Sequence, residues 1–109
     1  MLIEFDKIPE NVIPNMRGGE KEVALRMFQD ENCKIMRGKL IPGATIGLHT
    51  HADSSETIYI LSGAGKILYD NGEEALEAGS CHYCPKGHTH SLMNTGTADL
   101  EFFAVVPNQ

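Results

Sequence analysis

From Glu22 onward the chain alternates apolar and polar residues in short runs, with turn-forming residues between them. "EVALRMF", "CKIMRGKLI", "TIGLHTH", "TIYIL", "GKILYD", "EALEAG", "SCHYC", "HSLMN" and "LEFFAVV" each read as a strand. Period-two alternation turns one face toward a core and the other toward water. No window keeps a helical period; "GGEKEVALRMFQ" comes nearest, yet Val23, Leu25 and Met27 alternate equally well as a strand. Short strands at this spacing predict an all-β barrel or sandwich. Within it, Asn71-Gly72 predicts a hairpin closed by a type I′ turn, whose two central residues both need positive φ.

Residues 1–20 have a different character. Pro9, Pro14 and Gly18-Gly19 break any helix and predict an irregular arm with one short strand at Leu2 to Phe5. The barrel then occupies residues 21–109. The arm is not a second domain, because a chain of 109 residues divided in two would bury too little apolar surface in either half.

Composition narrows the function classes. With 41% hydrophobic and 22% charged residues and no low-complexity run, the chain is an ordinary globular domain rather than a disordered one. A net charge of -6, with no stripe of lysine or arginine, would repel a phosphate backbone, so no nucleic-acid partner is expected. No apolar run approaches the roughly 20 residues that span a bilayer. The start "MLIEFDKIPE" is acidic where a secretory signal is basic and then apolar, and a cytoplasmic location without a membrane partner is expected. Three cysteines cannot all pair, and reduced thiols fit that compartment. Cys81 and Cys84 form a C-x2-C, but on a strand residues three apart face opposite sides, so these thiols are not expected to meet.

The chemistry concentrates in two stretches. His49 and His51 are two apart on a strand and share a face, while Leu48 and Thr50 take the other. After the turn "ADSS", Glu56 opens the next strand and can bring a carboxylate to the same point. His90 offers a third imidazole after a turn fixed by Pro85 and Gly87. Three neutral imidazoles and one carboxylate suit a divalent transition ion such as Mn, Fe, Ni, Cu or Zn, with a position left for water or substrate. His88 is a candidate general acid or base at the cavity mouth, although a solvated turn histidine is the commoner state, and His82 is read the same way. Asn94 reads as a turn or supporting group. Met36, Ile58, Ile60 and Leu92 are expected to form an apolar wall, which leaves few cations for a phosphate or sugar nucleotide.

These residues also fit a known pattern. "GATIGLHTHADSSETIYILSG" matches G-x5-H-x-H-x4-E-x6-G as Gly43, His49, His51, Glu56 and Gly63. "GSCHYCPKGHTHSLMN" matches G-x5-P-x-G-x2-H-x3-N as Gly79, Pro85, Gly87, His90 and Asn94. The chain thus resembles the cupins across residues 43–94. The resemblance implies a single-domain jelly-roll β-barrel with a metal held by His49, His51, Glu56 and His90. Similar cupins include oxygenases, isomerases and decarboxylases, so the expected function is a metal-dependent enzyme, an oxidoreductase among the possibilities, acting on a small organic substrate. The alternative is a non-catalytic module that binds or senses a small molecule. A homodimer is expected, because small cupins commonly pair through their sheets and because Ile46 and Leu48, which alternation places outside the barrel, need cover.

Overall fold

Alternation along the chain becomes two faced sheets in the computed structural model, which describes residues 1–109. Its strands are β1 (Asn11–Pro14), β2 (Glu22–Gln29), β3 (Cys33–Leu40), β4 (Thr45–Thr50), β5 (Glu56–Ser62), β6 (Ala64–Tyr69), β7 (Gly72–Glu77), β8 (Cys81–Cys84), β9 (Thr89–Met93) and β10 (Leu100–Pro107). A six-stranded sheet runs β1-β2-β3-β10-β5-β8 and a four-stranded sheet runs β4-β9-β6-β7, with every pairing antiparallel. This is the all-β jelly-roll expected from the sequence. No helix is long and apolar enough to cross a membrane.

Central β10 shows how pattern becomes core. Leu100, Phe102, Ala104 and Val106 are buried while the residues between them are partly exposed, and the inward set packs with Leu40, Ile58, Ile60, Ile67 and Leu92 from both sheets. Phe102 lies opposite Gly38 on β3. A Cβ at position 38 would run into the Phe102 ring, so the glycine makes room for the largest fully buried side chain.

Three local expectations are corrected. Leu2–Phe5 is not a strand: Leu2 is exposed, a 3₁₀ turn covers Phe5–Lys7, and the arm's strand is β1, where Val12 and Ile13 pair with Ala24 and Val23 of β2. A strand forms only where an edge is free to pair, and β2 offers that edge to Asn11–Pro14; Pro14, without an N–H, is tolerated at the end of an edge strand.

The β6–β7 loop is Asp70-Asn71 rather than Asn71-Gly72, with Tyr69 opposite Gly72, and only Asp70 has positive φ, at 52°. Asp70 is pinned from β9, since its N–H donates to the Thr89 carbonyl (2.9 Å) and its Oδ1 accepts from the Thr89 N–H (3.3 Å). That tertiary anchor overrides the Asn-Gly preference, and Asp tolerates the left-handed region well.

Ile46 does not lie outside the barrel. It packs against the core, because β4 carries a bulge: Ile46 faces Leu92 and His49 faces His90, so three steps on β4 match two on β9. The extra residue resets the parity. Leu48 remains outside and more than half exposed.

Candidate metal centre

The bulge and a short turn bring four side chains to one point at the end of the barrel. Beyond the bulge His49 projects inward from β4, and His51, one residue past its end with its N–H on the His88 carbonyl, joins it. Glu56 enters from the first position of β5 in the facing sheet, and His90 comes from β9, directly opposite His49. His90 Nε2 lies 3.2 Å from His49 Nε2, 3.0 Å from His51 Nε2 and 2.9 Å from Glu56 Oε1, while His51 Nε2 is 3.1 Å from the same carboxylate oxygen. His51, Glu56 and His90 are buried, and His49 is partly so.

What holds the rings is as specific as where they point. His49 Nδ1–H donates to the Gly47 carbonyl (2.7 Å), and His51 Nδ1 lies 2.8 Å from Ser54 Oγ. His90 Nδ1 meets His82 Nε2 at 3.1 Å. Each ring is therefore gripped by its outer nitrogen and presents Nε2 to the common point. Burial pushes His49 below the ordinary imidazole range, which leaves its inward nitrogen a free lone pair. Burial alone would raise Glu56, but the ring nitrogens of His51 and His90 set against its carboxylate bring it down to about 2. Lone pairs and a carboxylate packed this closely repel unless a shared proton or a cation sits among them.

The donor set fits a divalent transition ion. Ligand atoms about 2.1 Å from an ion and at right angles to one another stand about 3.0 Å apart, and the four separations above run from 2.9 to 3.2 Å. Imidazole nitrogen with a single carboxylate is the chemistry of Mn, Fe, Ni, Cu or Zn rather than of Ca. No buried polar side-chain atom lacks a partner, so the site's surroundings are fully supported.

The four groups form one wall of a cavity of about 360 Å³. Of the expected apolar wall, Met36, Ile58 and Leu92 line the cavity and Ile60 packs in the interior beyond. The arm supplies a wall that sequence reasoning missed, through Ile13, Met16 and Arg17. It docks on β4 through glycines, since a Cβ on Gly19 would strike Thr45 and Gly47, and one on Gly47 would strike Arg17 and Gly19. Beyond breaking a helix, the Gly18-Gly19 pair does two things: Gly18 takes a positive φ of 78° and Gly19 allows the close approach to β4. Arg17 and Lys34 give the cavity two cations that the apolar reading passed over.

The remaining candidates sit apart. His88 is outside the cavity lining, with its side chain 43% exposed, Nδ1 2.8 Å from Asp70 Oδ2 and the ring stacked on Tyr69. His82, read as a solvated residue, is buried: its side chain is 2% exposed and its Nδ1 donates to Glu74 Oε1 at 2.9 Å. The pattern of β8 hid this, because "CHYC" carries mixed residues on both parities and His82 shares the inward one with Cys84. Cys81 is exposed and Cys84 buried, so the two sulfurs occupy opposite faces, and burial pushes the Cys84 thiol up to about 11. Asn94 is a brace: its amide N–H groups donate to the Leu40 and Ala98 carbonyls and its Oδ1 accepts from Gly96 N–H.

The cupin domain model matches residues 36–106, which include all four converging side chains. The chain belongs to the cupin family. This cupin is 37% identical over 113 residues to a protein of Thermotoga maritima named oxalate-binding protein, an alignment covering 97% of the present chain and 93% of that relative. It also superposes on a crystal structure of a predicted oxalate decarboxylase from Thermotoga maritima with a TM-score of 0.93, at 34% identity and 100% coverage of both chains. The polyketide cyclase RemF of Streptomyces resistomycificus shares the fold, with a TM-score of 0.80 over 98% of this cupin and 78% of that chain at 18% identity.

Proposed function

We propose that this cupin holds a divalent transition metal on His49, His51, Glu56 and His90 and binds a small carboxylate, oxalate first among candidates, at the positions the protein leaves open. The convergence of three Nε2 atoms and one carboxylate oxygen carries the reading. Three neutral ligands and one anion leave a divalent ion with net positive charge, which favours an anionic oxygen donor. The bound metal would supply Lewis-acid attraction for that donor.

The chain's own residues do the rest. Leu25, Met36, Ile58, Leu92 and Val106 keep the inner wall dry, which strengthens any charge pairing made there. Arg17 and Lys34 line the same cavity and favour a second negative group, so a dicarboxylate suits it better than a monoacid. The name of the Thermotoga maritima relative supports the choice of oxalate.

Decarboxylation is the second reading, favoured by the likeness to the predicted oxalate decarboxylase of Thermotoga maritima. It would need a proton carrier beside the substrate, and the lining offers Asp53 and Lys34 beyond the four converging groups. The two readings separate in one experiment. Protein purified without an affinity tag is assayed for metal by mass spectrometry, titrated with oxalate in metal-loaded and metal-stripped forms, and incubated with ¹³C-oxalate. Stoichiometric metal and metal-dependent oxalate binding are expected. Release of labelled carbon dioxide and formate would favour the enzyme, and absence of metal-dependent binding would overturn the proposal.

A further inference from the structure

Behind His90 two side chains, one from each sheet, run in line. Glu74 on β7 of the four-stranded sheet accepts from His82 Nδ1–H at 2.9 Å, and His82, on β8 of the other sheet, meets His90 Nδ1 through its Nε2 at 3.1 Å. The His82 ring is stacked on that of His90, with centroids 5.3 Å apart and planes 29° apart, and the edge of Tyr69 closes its other side at 5.3 Å. His82 is thus a buried ring with a single partner at each nitrogen.

Those partners fix the direction of the protons. A carboxylate only accepts, so the His82 proton facing Glu74 belongs to Nδ1. A neutral His82 then has a lone pair on Nε2, which requires the proton between the rings to be carried by His90 Nδ1. His90 is left with its Nε2 lone pair directed at the cluster. Glu56 does not need a proton from His90, because His51 can donate from Nε2 to Glu56 while its Nδ1 accepts from the Ser54 hydroxyl.

We infer that Glu74 and His82 are positioning residues that lock His90 in the Nδ1–H tautomer and in its ring orientation, so that its metal-facing nitrogen is set before any ion arrives. This rests on the proposed function for its purpose but not for its test. Glu74 is half exposed, so the relay ends at the surface. Cys84 is the third group near His82 and His90, and burial raises its thiol to about 11.

The test uses the metal-free full chain with ¹⁵N-labelled histidine at pH 8, where long-range ¹H–¹⁵N correlation reports which nitrogen carries each proton. In the wild type both His82 and His90 are expected to be protonated on Nδ1. His82→Phe should leave His90 a mixture of tautomers and lower zinc affinity 10- to 100-fold. His82→Gln, whose amide oxygen can still accept from His90, should restore most of that affinity. Glu74→Ala alters only the half-exposed end, serves where His82→Phe fails to fold, and should give His82 mixed tautomers with a weaker loss of zinc binding. A wild-type His90 protonated on Nε2, or folded His82→Phe with wild-type affinity and an unchanged His90 tautomer, would overturn the relay. A wild-type chain that takes up no metal would overturn the proposed function, and the tautomers would still decide the relay.

Discussion

Val23, Leu40, Ala44, Ile60 and Leu100 fill one half of the barrel, whereas Leu25, Met36, Ile58, Leu92 and Val106 in the other half face a cavity. The same strands build both. β5 runs from Glu56 and Ile58 at the hollow end to Ile60 in the filled one, and β3 from Lys34 and Met36 to Leu40. In the filled half each inward residue meets apolar atoms on all sides, so its burial is converted into stability. In the hollow half the inward residues give up part of that packing to surround a cluster of polar groups. Stability and chemistry are thus separated along the strands rather than between elements.

Truncation breaks the comparison most directly. Leu100→Ala removes a fully buried side chain from the filled half and should cost about 2–5 kcal/mol in denaturant unfolding. Met36→Ala, which enlarges a cavity already present, should cost clearly less; equal losses would show that the two halves are packed alike. Next in size is Gly47→Ala. Its Cβ would meet the backbone of Arg17 and Gly19, neither of which can swing aside, so a cost of roughly 1–3 kcal/mol is expected. Faster hydrogen exchange at Gly19 would locate the damage in the arm and the hollow half.

Acid should act chiefly on the converging cluster and on the ring that backs it. Burial lowers the folded-state pKa of both His49 and His82, so the unfolded chain takes up protons first. The stability these groups contribute is whole above the unfolded value near 6.5 and is lost as pH falls below it. Glu56, brought down from 4.5 to about 2, adds a second loss between those values. Urea midpoints of metal-free protein should therefore decline in two stages on acidification, and a flat profile from pH 7 to 5 would contradict this. The smallest effect is expected from His49→Ala in metal-free protein, within about 1 kcal/mol of wild type, because the ring lies at the partly exposed rim of the cluster.

Much of the molecule was legible in its sequence. Alternation placed β2 to β10 because burial on one face is a local pattern, and the spacings His49-x-His51 and Glu56 told of convergence because strand geometry is fixed. What escaped depends on partners distant in the chain. The Asp70-Asn71 turn is set by Thr89, the inward turn of Ile46 by a bulge against β9, and the burial of His82 by Glu74 and His90. Arg17 reached the cavity through a contact between two glycines 28 residues apart, Gly19 and Gly47, whose separate roles no local window reveals.

The pairing of β1 with β2 has a consequence for solubility. β2 is eight residues long, carries Val23 and Leu25 on its inner face and Met27 exposed, and has β3 as its only other neighbour. Uncovered, it would present a long row of unsatisfied N–H and C=O groups, the template on which other chains assemble into aggregates. β1 replaces that border with four residues ending in Pro14, which has no N–H to offer a newcomer. The segment that walls the cavity with Ile13 therefore also shortens and blunts the edge that β2 would otherwise expose.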